Sequence, residues 1–361
     1  MKILLVRLRQ IGDVVFTTPT FAALKDRFPS ASITYLVEPA AAPVVVGNAH
    51  LADVVIAPRA GGIGGLLRDL ALGRQLARQR FDIAIDFHGG PRAALLTWLS
   101  GAPQRIGYEI KGRSWMYTHR VGRPRELRAR HSVENQWDLL AALGVSKPDP
   151  ARYPVVMPVK PDTAASVRAR LAEHGVNPAA RVVVMHVSAG NPFRRWPIES
   201  FSAVAAALAA SGPSVRVIVT SGPSEADAAQ RVIAGARTEL GDAAGDRVLA
   251  CGEFSLAELR ALVDVAALYI GGDSGPMHVA ATSAVPMVSL YGPTLPARSQ
   301  PWRNPETPAV AIEVEGLACR PCDQRVCAPG DFRCLGRITP GEVIEAATRL
   351  LRGTDPGERI I

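Results

Sequence analysis

The stretch ALYIGGDSGPMHVAATSAVPMVSLYG, residues 267–292, carries the pattern from which the fold is predicted. An apolar run ends in Gly-Gly-Asp, a helix-like segment begins at about Gly275, and a second apolar run, PMVSLYG, follows. Strands that are apolar along nearly their whole length are typical of parallel sheets, because both faces of such sheets are covered by helices. The stretch therefore predicts a strand–helix–strand unit of a parallel α/β sheet.

The same alternation extends over both halves of the chain. In the first half, the runs KILLVRL, ITYLV, DVVIA and FDIAIDF alternate with helices predicted over about residues 19–28 and 64–79. In the second half, the runs RVVVMHVS, VRVIVTSG and RVLACGE precede helices predicted from about Ile198, Ser224 and Ser255. A chain of 361 residues exceeds what one core usually organises, so we expect two doubly wound domains, residues 1–155 and 156–361.

Prolines and capping patterns add detail to this division. Prolines are concentrated in residues 147–162, where we expect the linker. Ser255 with Glu258 and Thr339 with Glu342 match the capping-box pattern that begins helices. The last predicted helix, about residues 339–351, could close onto either domain.

The net charge of the chain restricts the class of ligand but does not identify one ligand. A net charge of +8 and a pI near 9.6 favour an anionic ligand, such as a nucleotide, a nucleic acid or a phosphorylated glycolipid at a membrane surface. The first apolar run, residues 3–6, is too short for the core of a signal peptide, and no stretch of eighteen apolar residues occurs. We therefore expect a cytoplasmic protein whose membrane contact, if any, is peripheral to the inner membrane.

Several small or acidic residues directly follow predicted strands, where doubly wound domains bind ligands. Asp273 could accept hydrogen bonds from sugar hydroxyls, while Ser274 and the amide of Gly275 could contact a diphosphate. His278, in the same motif, is a further candidate for donor binding. In the alternative interpretation, Asp273 or Ser274 caps the helix and His278 is a buried core histidine. Ser188 follows another predicted strand and is a further candidate for ligand binding.

Two more motifs suggest contacts with a nucleotide. HVSAGNPFRRWP places Arg194 and Arg195 before a helix, where their forked donors could neutralise a diphosphate; the alternative is a solvated basic loop. Glu225, in VTSGPSEADAAQ, could hold a ribose or base, or it could only stabilise the helix N-terminus.

Asp13 lies in VRLRQIGDVVFTTP, on a glycine-containing turn predicted after the first strand. An exposed carboxylate at this place could serve as general base for an incoming hydroxyl group. The competing interpretation is that Asp13 is the N-cap of the first helix.

Two clusters of residues lie outside these motifs. Residues 105–131 combine aromatic side chains with many cations, a mixture that suits an anionic oligosaccharide, single-stranded nucleic acid or a merely solvated face; the candidate ligand contacts are Arg105, Lys111, Arg113 and Arg120. A later segment holds four of the five cysteines, which could bind one structural zinc or iron or stay free thiols; they are Cys319, Cys322, Cys327 and Cys334. Disulfides are the weaker alternative in a cytoplasmic protein.

Taken together, these segments resemble the heptosyltransferases of glycosyltransferase family nine. The motifs IGDVVFTTP, IGYEIKGR, HSVENQWDLLAALG, RRWP, TSGPSE, GGDSGPMHVAA and VSLYGPT occur in the order which that family shows. The resemblance implies the α/β fold called GT-B, two Rossmann-like doubly wound domains facing a central cleft. It also implies transfer of a heptose, with inversion, from ADP-heptose to the inner core of lipopolysaccharide. Among family members, the similarity is nearest to enzymes that add a branching heptose.

The resemblance also implies roles for individual parts of the chain. Residues 1–155 would bind the acceptor, with Asp13 as catalytic base, and residues 156–361 would bind the donor. Asp273 would hold the sugar hydroxyls, Ser274 with Gly275 the phosphates, and Glu225 the nucleoside. Relatives commonly have a lysine before the Trp-Pro pair, where this chain has Arg194 and Arg195. No catalytic cofactor and no nucleic-acid partner are expected, and the sequence contains no Asp-x-Asp metal motif.

Three other classes of protein share this architecture. A nicotinamide-dependent oxidoreductase would need Gly-x-Gly-x-x-Gly after the first strand, and the chain has RQIGD there. A two-lobed solute-binding protein would ordinarily carry an export signal. A sugar-nucleotide epimerase is the closest alternative, and it would form sugar-nucleotide isomers without any acceptor.

Overall fold

The computed structural model describes residues 1–59, 61–122, 130–187, 190–241 and 244–353. The chain divides into two compact units. The first comprises Met1–Pro158 together with Trp302–Asn304, and the second comprises Val159–Pro301 and Pro305–Ile361. A short piece of the chain's second half thus belongs to the first unit, which the sequence did not indicate.

The first unit is built on a parallel sheet of six strands in the order β3-β2-β1-β4-β5-β6. The strands are β1 Lys2–Val6, β2 Ser32–Val37, β3 Asp53–Ile56, β4 Ile83–Asp86, β5 Gln104–Tyr108 and β6 His119–Val121. The helices are α1 Ile11–Val15, α2 Pro19–Arg27, α3 Gly62–Arg78, α4 Pro91–Leu99 and α5 Ser132–Ala141.

The order of strands places the ligand end of this sheet beside β1. From β1 the chain builds outward through β2 and β3 on one side and, after crossing back, through β4, β5 and β6 on the other. Ile3, Leu4, Leu5 and Val6 of β1 are fully buried, as expected for a central parallel strand. The strand order reverses between β1 and β4, and open α/β sheets bind ligands at the carboxyl ends of the strands at such a point.

The second unit repeats this plan with the order β12-β11-β10-β7-β8-β9, again all parallel. The strands are β7 Arg181–His186, β8 Val215–Thr220, β9 Val248–Leu249, β10 Leu268–Gly272, β11 Met287–Tyr291 and β12 Ala309–Glu313. The helices are α6 Pro161–Glu173, α7 Ile198–Ala210, α8 Ala226–Leu240, α9 Leu256–Asp264, α10 Gly275–Ala280, α11 Pro296–Ser299, α12 Arg333–Gly336 and α13 Pro340–Arg352. The reversal in strand order falls between β7 and β10, so the segments after these two strands share one edge of the sheet.

Several local predictions can be compared with the structure. Both capping boxes are confirmed, at the starts of α9 and α13. The final helix α13 packs in the second unit, against α7 and β11. The prediction of a strand along the whole run RVLACGE was wrong, because only Val248–Leu249 pairs with β8. Within the described residues, no helix is long and apolar enough to cross a membrane.

Candidate active site

Asp13 lies just beyond the carboxyl end of β1, at the reversal point of the first sheet. The predicted turn is in fact the short helix α1, and Asp13 is its third residue. The N-cap position belongs to Gln10, whose φ of 71° turns the chain into the helix, so the N-cap interpretation of Asp13 is wrong. The Asp13 side chain is 38% exposed, and its carboxylate accepts a hydrogen bond from Arg7 Nη2.

Arg7 ties this carboxylate to the end of the neighbouring strand β4. Its Nη1 donates to the carbonyl oxygen of Phe87 at 2.6 Å. The loop that presents this carbonyl is held by Asp86, which accepts hydrogen bonds from the hydroxyl of Tyr117 at 2.6 Å and from the amides of His88 and Gly89. Burial raises the pKa of Asp86, and these three donors oppose the effect. The position of Asp13 therefore depends on a polar chain, Asp86–Phe87–Arg7, that sequence motifs did not indicate.

Asp273 lies directly after β10, at the reversal point of the second sheet. It is almost completely buried, and its Oδ2 accepts hydrogen bonds from Thr294 at 2.5 Å and Arg194 at 3.3 Å. Its Oδ1 lies 3.4 Å from His278 Nε2. Burial opposes ionisation of Asp273, but His278, Arg194 and Thr294 outweigh it and lower its pKa to about 2. Asp273 is thus a fixed anion at neutral pH, and His278 is its buried neighbour.

Ser274 stands at the N-cap position of α10 but does not cap it. Its side chain makes no hydrogen bond to the helix amides. Among the described residues, its buried Oγ has no hydrogen-bond partner. Buried hydroxyl groups are ordinarily paired, since leaving one unpaired costs about 1–3 kcal/mol. The hydroxyl of Ser274, which directly precedes the first residue of α10, Gly275, is therefore available to form a hydrogen bond with a ligand.

The structure separates the two arginines that the sequence could not distinguish. Arg194 Nη1 lies 3.1 Å from the carbonyl oxygen of Asp273 and 3.3 Å from its Oδ2, so this side chain joins the β7 and β10 edges. Arg195 instead pairs with Glu225, its Nη2 lying 3.2 Å from Oε1, and is 47% exposed. Ser188, the other candidate beyond β7, lies outside the described residues.

Gln324, in the cysteine segment, supports Arg194 from the other side. Its Oε1 accepts hydrogen bonds from Arg194 Nε and from Asn191 Nδ2, each at 2.8 Å. The rings of Phe193 and Phe332 meet edge to face nearby, with centroids 5.3 Å apart. The cysteine segment is therefore packed on the loop that carries Arg194.

The four clustered cysteines line one cavity of about 210 Å³, together with Phe193 and Phe332; they are Cys319, Cys322, Cys327 and Cys334. All four are free thiols. Over the part of the chain that the structure describes, no group of three or more His, Cys, Asp or Glu side chains is arranged to hold a metal ion. The thiols thus share a cavity without forming a coordination geometry in the structure.

The predicted oligosaccharide contacts fall on β5, β6 and the segment between them. Arg105 donates to the carbonyl oxygens of Met116 and Ala102, at 2.8 and 2.6 Å, and therefore holds the local backbone. Lys111 and Arg120 are exposed and Arg113 is half-buried. Three further arginines of residues 105–131, Arg123, Arg125 and Arg128, lie outside the described residues.

Comparison with known proteins gives a consistent result over the whole chain. The family model described as "Glycosyltransferase family 9 (heptosyltransferase)" matches residues 70–330. "Lipopolysaccharide heptosyltransferase 3" of Escherichia coli is 28% identical over 96% of this chain and 98% of its own length. A glycosyltransferase family 9 structure from Veillonella parvula superposes with a TM-score of 0.85 at 23% identity, covering 98% of both chains. The solved structure of E. coli ADP-heptose lps heptosyltransferase II superposes with a TM-score of 0.78 at 21% identity, covering 98% of this chain and 99% of that one. These likenesses confirm the predicted GT-B fold class.

Proposed function

This chain belongs to glycosyltransferase family 9, the heptosyltransferases, and from that premise we propose that it transfers a heptose from ADP-heptose to the inner core of lipopolysaccharide, with inversion. The observation that carries the proposal is the junction of two family motifs, RRWP and GGDSG, through the contact of Arg194 with Asp273. The enzyme is a glycosyltransferase, and the epimerase, oxidoreductase and solute-binding alternatives are not favoured.

The donor would bind at the β7 and β10 edge of the second sheet. The Asp273 carboxylate, kept ionised by its neighbours, accepts hydrogen bonds from hydroxyl groups of the sugar. Arg194 offers forked donors to the diphosphate, and the unpaired hydroxyl of Ser274 with the amide of Gly275 completes the contact. Glu225, held by Arg195, would accept hydrogen bonds from the nucleoside.

Chemistry would begin at Asp13 in the first unit. As the acceptor hydroxyl attacks the anomeric carbon, its proton passes to the Asp13 carboxylate, and the new C–O bond forms opposite the bond that breaks to release ADP. Arg7, hydrogen-bonded to the same carboxylate, fixes its direction. Arg113, Arg120 and Lys111 would contact the anionic acceptor, whereas Arg105 would act through the backbone that it holds.

The cysteine segment would have a structural task. Heptosyltransferases need no cofactor for catalysis, and the four thiols stand apart from Asp13 and Asp273 in sequence. We propose that they bind one structural zinc or iron, since all four line the same cavity and thiolates are preferred ligands of both metals.

Product analysis tests the proposed function. The purified protein is incubated with ADP-heptose and truncated lipopolysaccharide core acceptors. We expect one heptose added per acceptor, an inverted anomeric configuration and an equal amount of ADP. Release of sugar-nucleotide isomers without acceptor would instead indicate an epimerase. Formation of neither product would contradict the proposed function.

A further inference from the structure

Helix α3 of the first unit turns an apolar stripe toward solvent. Ile63, Leu66 and Leu67 are 81, 52 and 61% exposed, and their spacing of three and four residues puts them on one face of the helix. The helix is held to the unit mainly by the opposite face, on which Gly65 and Leu76 are buried; buried Gly73, seven residues after Leu66, marks the boundary between the two faces. The apolar stripe is therefore not part of the core that fixes α3.

Two arginines lie on the same face of α3, in the second half of the helix. Arg74 and Arg78 are exposed and follow Ile63 and Leu67 by eleven residues, which is close to three helical turns. The one acidic residue of α3, Asp69, points away into a bidentate ion pair with Arg92, at 2.8 and 2.9 Å. The solvent face of α3 therefore combines an apolar first half with an uncompensated positive second half.

An exposed aromatic pair lies in the same unit. Trp98 of α4 and Trp115 are 41 and 58% exposed, and their rings meet edge to face with centroids 5.6 Å apart. Helix α4 packs beside α3. Tryptophan is enriched where proteins meet the headgroup region of a bilayer, because its ring is apolar and its N–H is polar.

We infer that the solvent face of α3 is a docking surface for a bilayer of anionic phospholipid. The charge of the face complements such a surface, and apolar side chains beside arginines on one helix face are typical of helices that lie in the interface. Three apolar side chains are too few for a stable contact between two proteins, which requires about 800 Å² from each partner. The inference rests on the proposed function in one respect: a lipopolysaccharide acceptor would be delivered at a membrane.

Vesicle binding of the full chain tests the inference. Co-sedimentation with vesicles of phosphatidylglycerol and phosphatidylethanolamine is compared with vesicles of phosphatidylcholine alone. We expect binding to the anionic vesicles that weakens with salt, and a loss on the order of tenfold in the partition coefficient for Ile63→Ser/Leu67→Ser and for Arg74→Gln/Arg78→Gln. The matched control, Arg231→Gln/Arg349→Gln, removes two exposed arginines from the second unit and should bind normally.

Two further measurements separate the possible failures. Transfer to a water-soluble truncated acceptor should be unchanged in both α3 variants, so normal vesicle binding without any transfer would overturn the proposed function and leave the docking surface intact. Equal vesicle binding by wild type and both variants would overturn the docking surface. A change of molecular mass in solution in the Ile63→Ser/Leu67→Ser variant, with vesicle binding unaltered, would overturn it too and identify the stripe as a contact between copies of the chain.

Discussion

Asp13 and Arg7 form the pair on which the proposed proton transfer depends. Asp13→Asn keeps the size of the side chain but removes the proton acceptor, so we expect turnover to fall on the order of a hundredfold or more. Affinity for ADP and the melting temperature should stay nearly unchanged, because the ion pair of Asp13 is partly exposed and such pairs contribute little to stability. Initial rates at saturating substrates, ADP titration and thermal unfolding measure the three quantities. Asp53→Asn, at the exposed start of β3, is the control; near-normal turnover in Asp13→Asn would refute the assignment.

Arg194 and Arg195 should differ in their effect on the donor. Arg194 lies against Asp273, whereas Arg195 is engaged with Glu225. We expect Arg194→Ala to raise the Kd for ADP-heptose by about tenfold or more, as the loss of a charge-assisted contact implies, and Arg195→Ala to raise it less. Added salt should reduce the difference between wild type and Arg194→Ala.

Calorimetric titration of the donor measures these constants, with Arg231→Ala, an exposed arginine of α8, as control. The KM for the acceptor should not change in either variant. A larger loss in Arg195→Ala than in Arg194→Ala would reassign the diphosphate contact.

At the scale of elements, the cysteine segment positions the donor loop through one side chain. Gln324 has a φ of 61°, a conformation that asparagine adopts readily. Gln324→Asn therefore keeps the backbone and shortens the reach to Arg194. We expect a several-fold higher KM for ADP-heptose with kcat almost unchanged, whereas a general loss of structure would lower kcat as well. Arg325→Ala, the exposed neighbour, is the control, and an unaltered donor KM in Gln324→Asn would exclude the positioning role.

Metal content tests the other property of this segment. Purified protein should contain about one equivalent of zinc plus iron, and Cys327→Ser should lose it together with part of the thermal stability. Cys251→Ala changes the isolated buried cysteine of the second unit and should keep the metal. Less than about one-tenth of an equivalent in wild type, with all thiols titrating freely, would contradict the site, because structural thiolate sites hold their metal tightly.

Sequence patterns predicted the central elements better than the edges of the sheets. The runs that became β1, β7, β10 and β11 are apolar along most of their length because nearly all of their residues are buried. Strands β5, β6 and β12 were not predicted, since they are short or partly exposed and carry polar residues.

The candidate site was likewise predicted only in part. Residues at strand ends were visible as motifs, but the partners of Asp13 and Arg194 were not. Gln324 is 130 residues from Arg194 along the chain, and local sequence patterns do not predict a contact between residues so far apart. Thr294 lies in the motif VSLYGPT, but its role became clear only from the structure, in which its hydroxyl donates a 2.5 Å hydrogen bond to Asp273.

For the molecule as a whole, His186 should make stability depend on pH. Burial lowers the pKa of His186 to about 4, from an ordinary value of 6.5. Because the folded-state pKa is the lower one, the stability is fully present above pH 6.5 and is lost as the pH falls toward 4. The loss amounts to on the order of 3 kcal/mol. The imidazole Nδ1 lies 2.9 Å from Thr220 Oγ1.

A comparison with His186→Gln isolates this effect from other titrations. Wild type should exceed the variant in free energy of unfolding most at pH 7, and the difference should shrink by pH 5. Urea unfolding at both pH values measures the difference. A difference that is constant with pH would show that His186 does not titrate in this range.

The segment Trp302–Asn304 gives the molecule a particular order of assembly. Trp302 accepts a hydrogen bond from the amide of Val155 and donates one to the carbonyl of Tyr153, both at 2.9 Å, and its ring lies 4.7 Å from that of His131. During synthesis from the amino end, strands β7 to β11 all leave the ribosome before this tryptophan does. At roughly 5–20 residues per second, the first unit waits on the order of ten seconds for its last piece. The unit whose translation begins first is therefore completed late, after most of the other unit's sheet has been made.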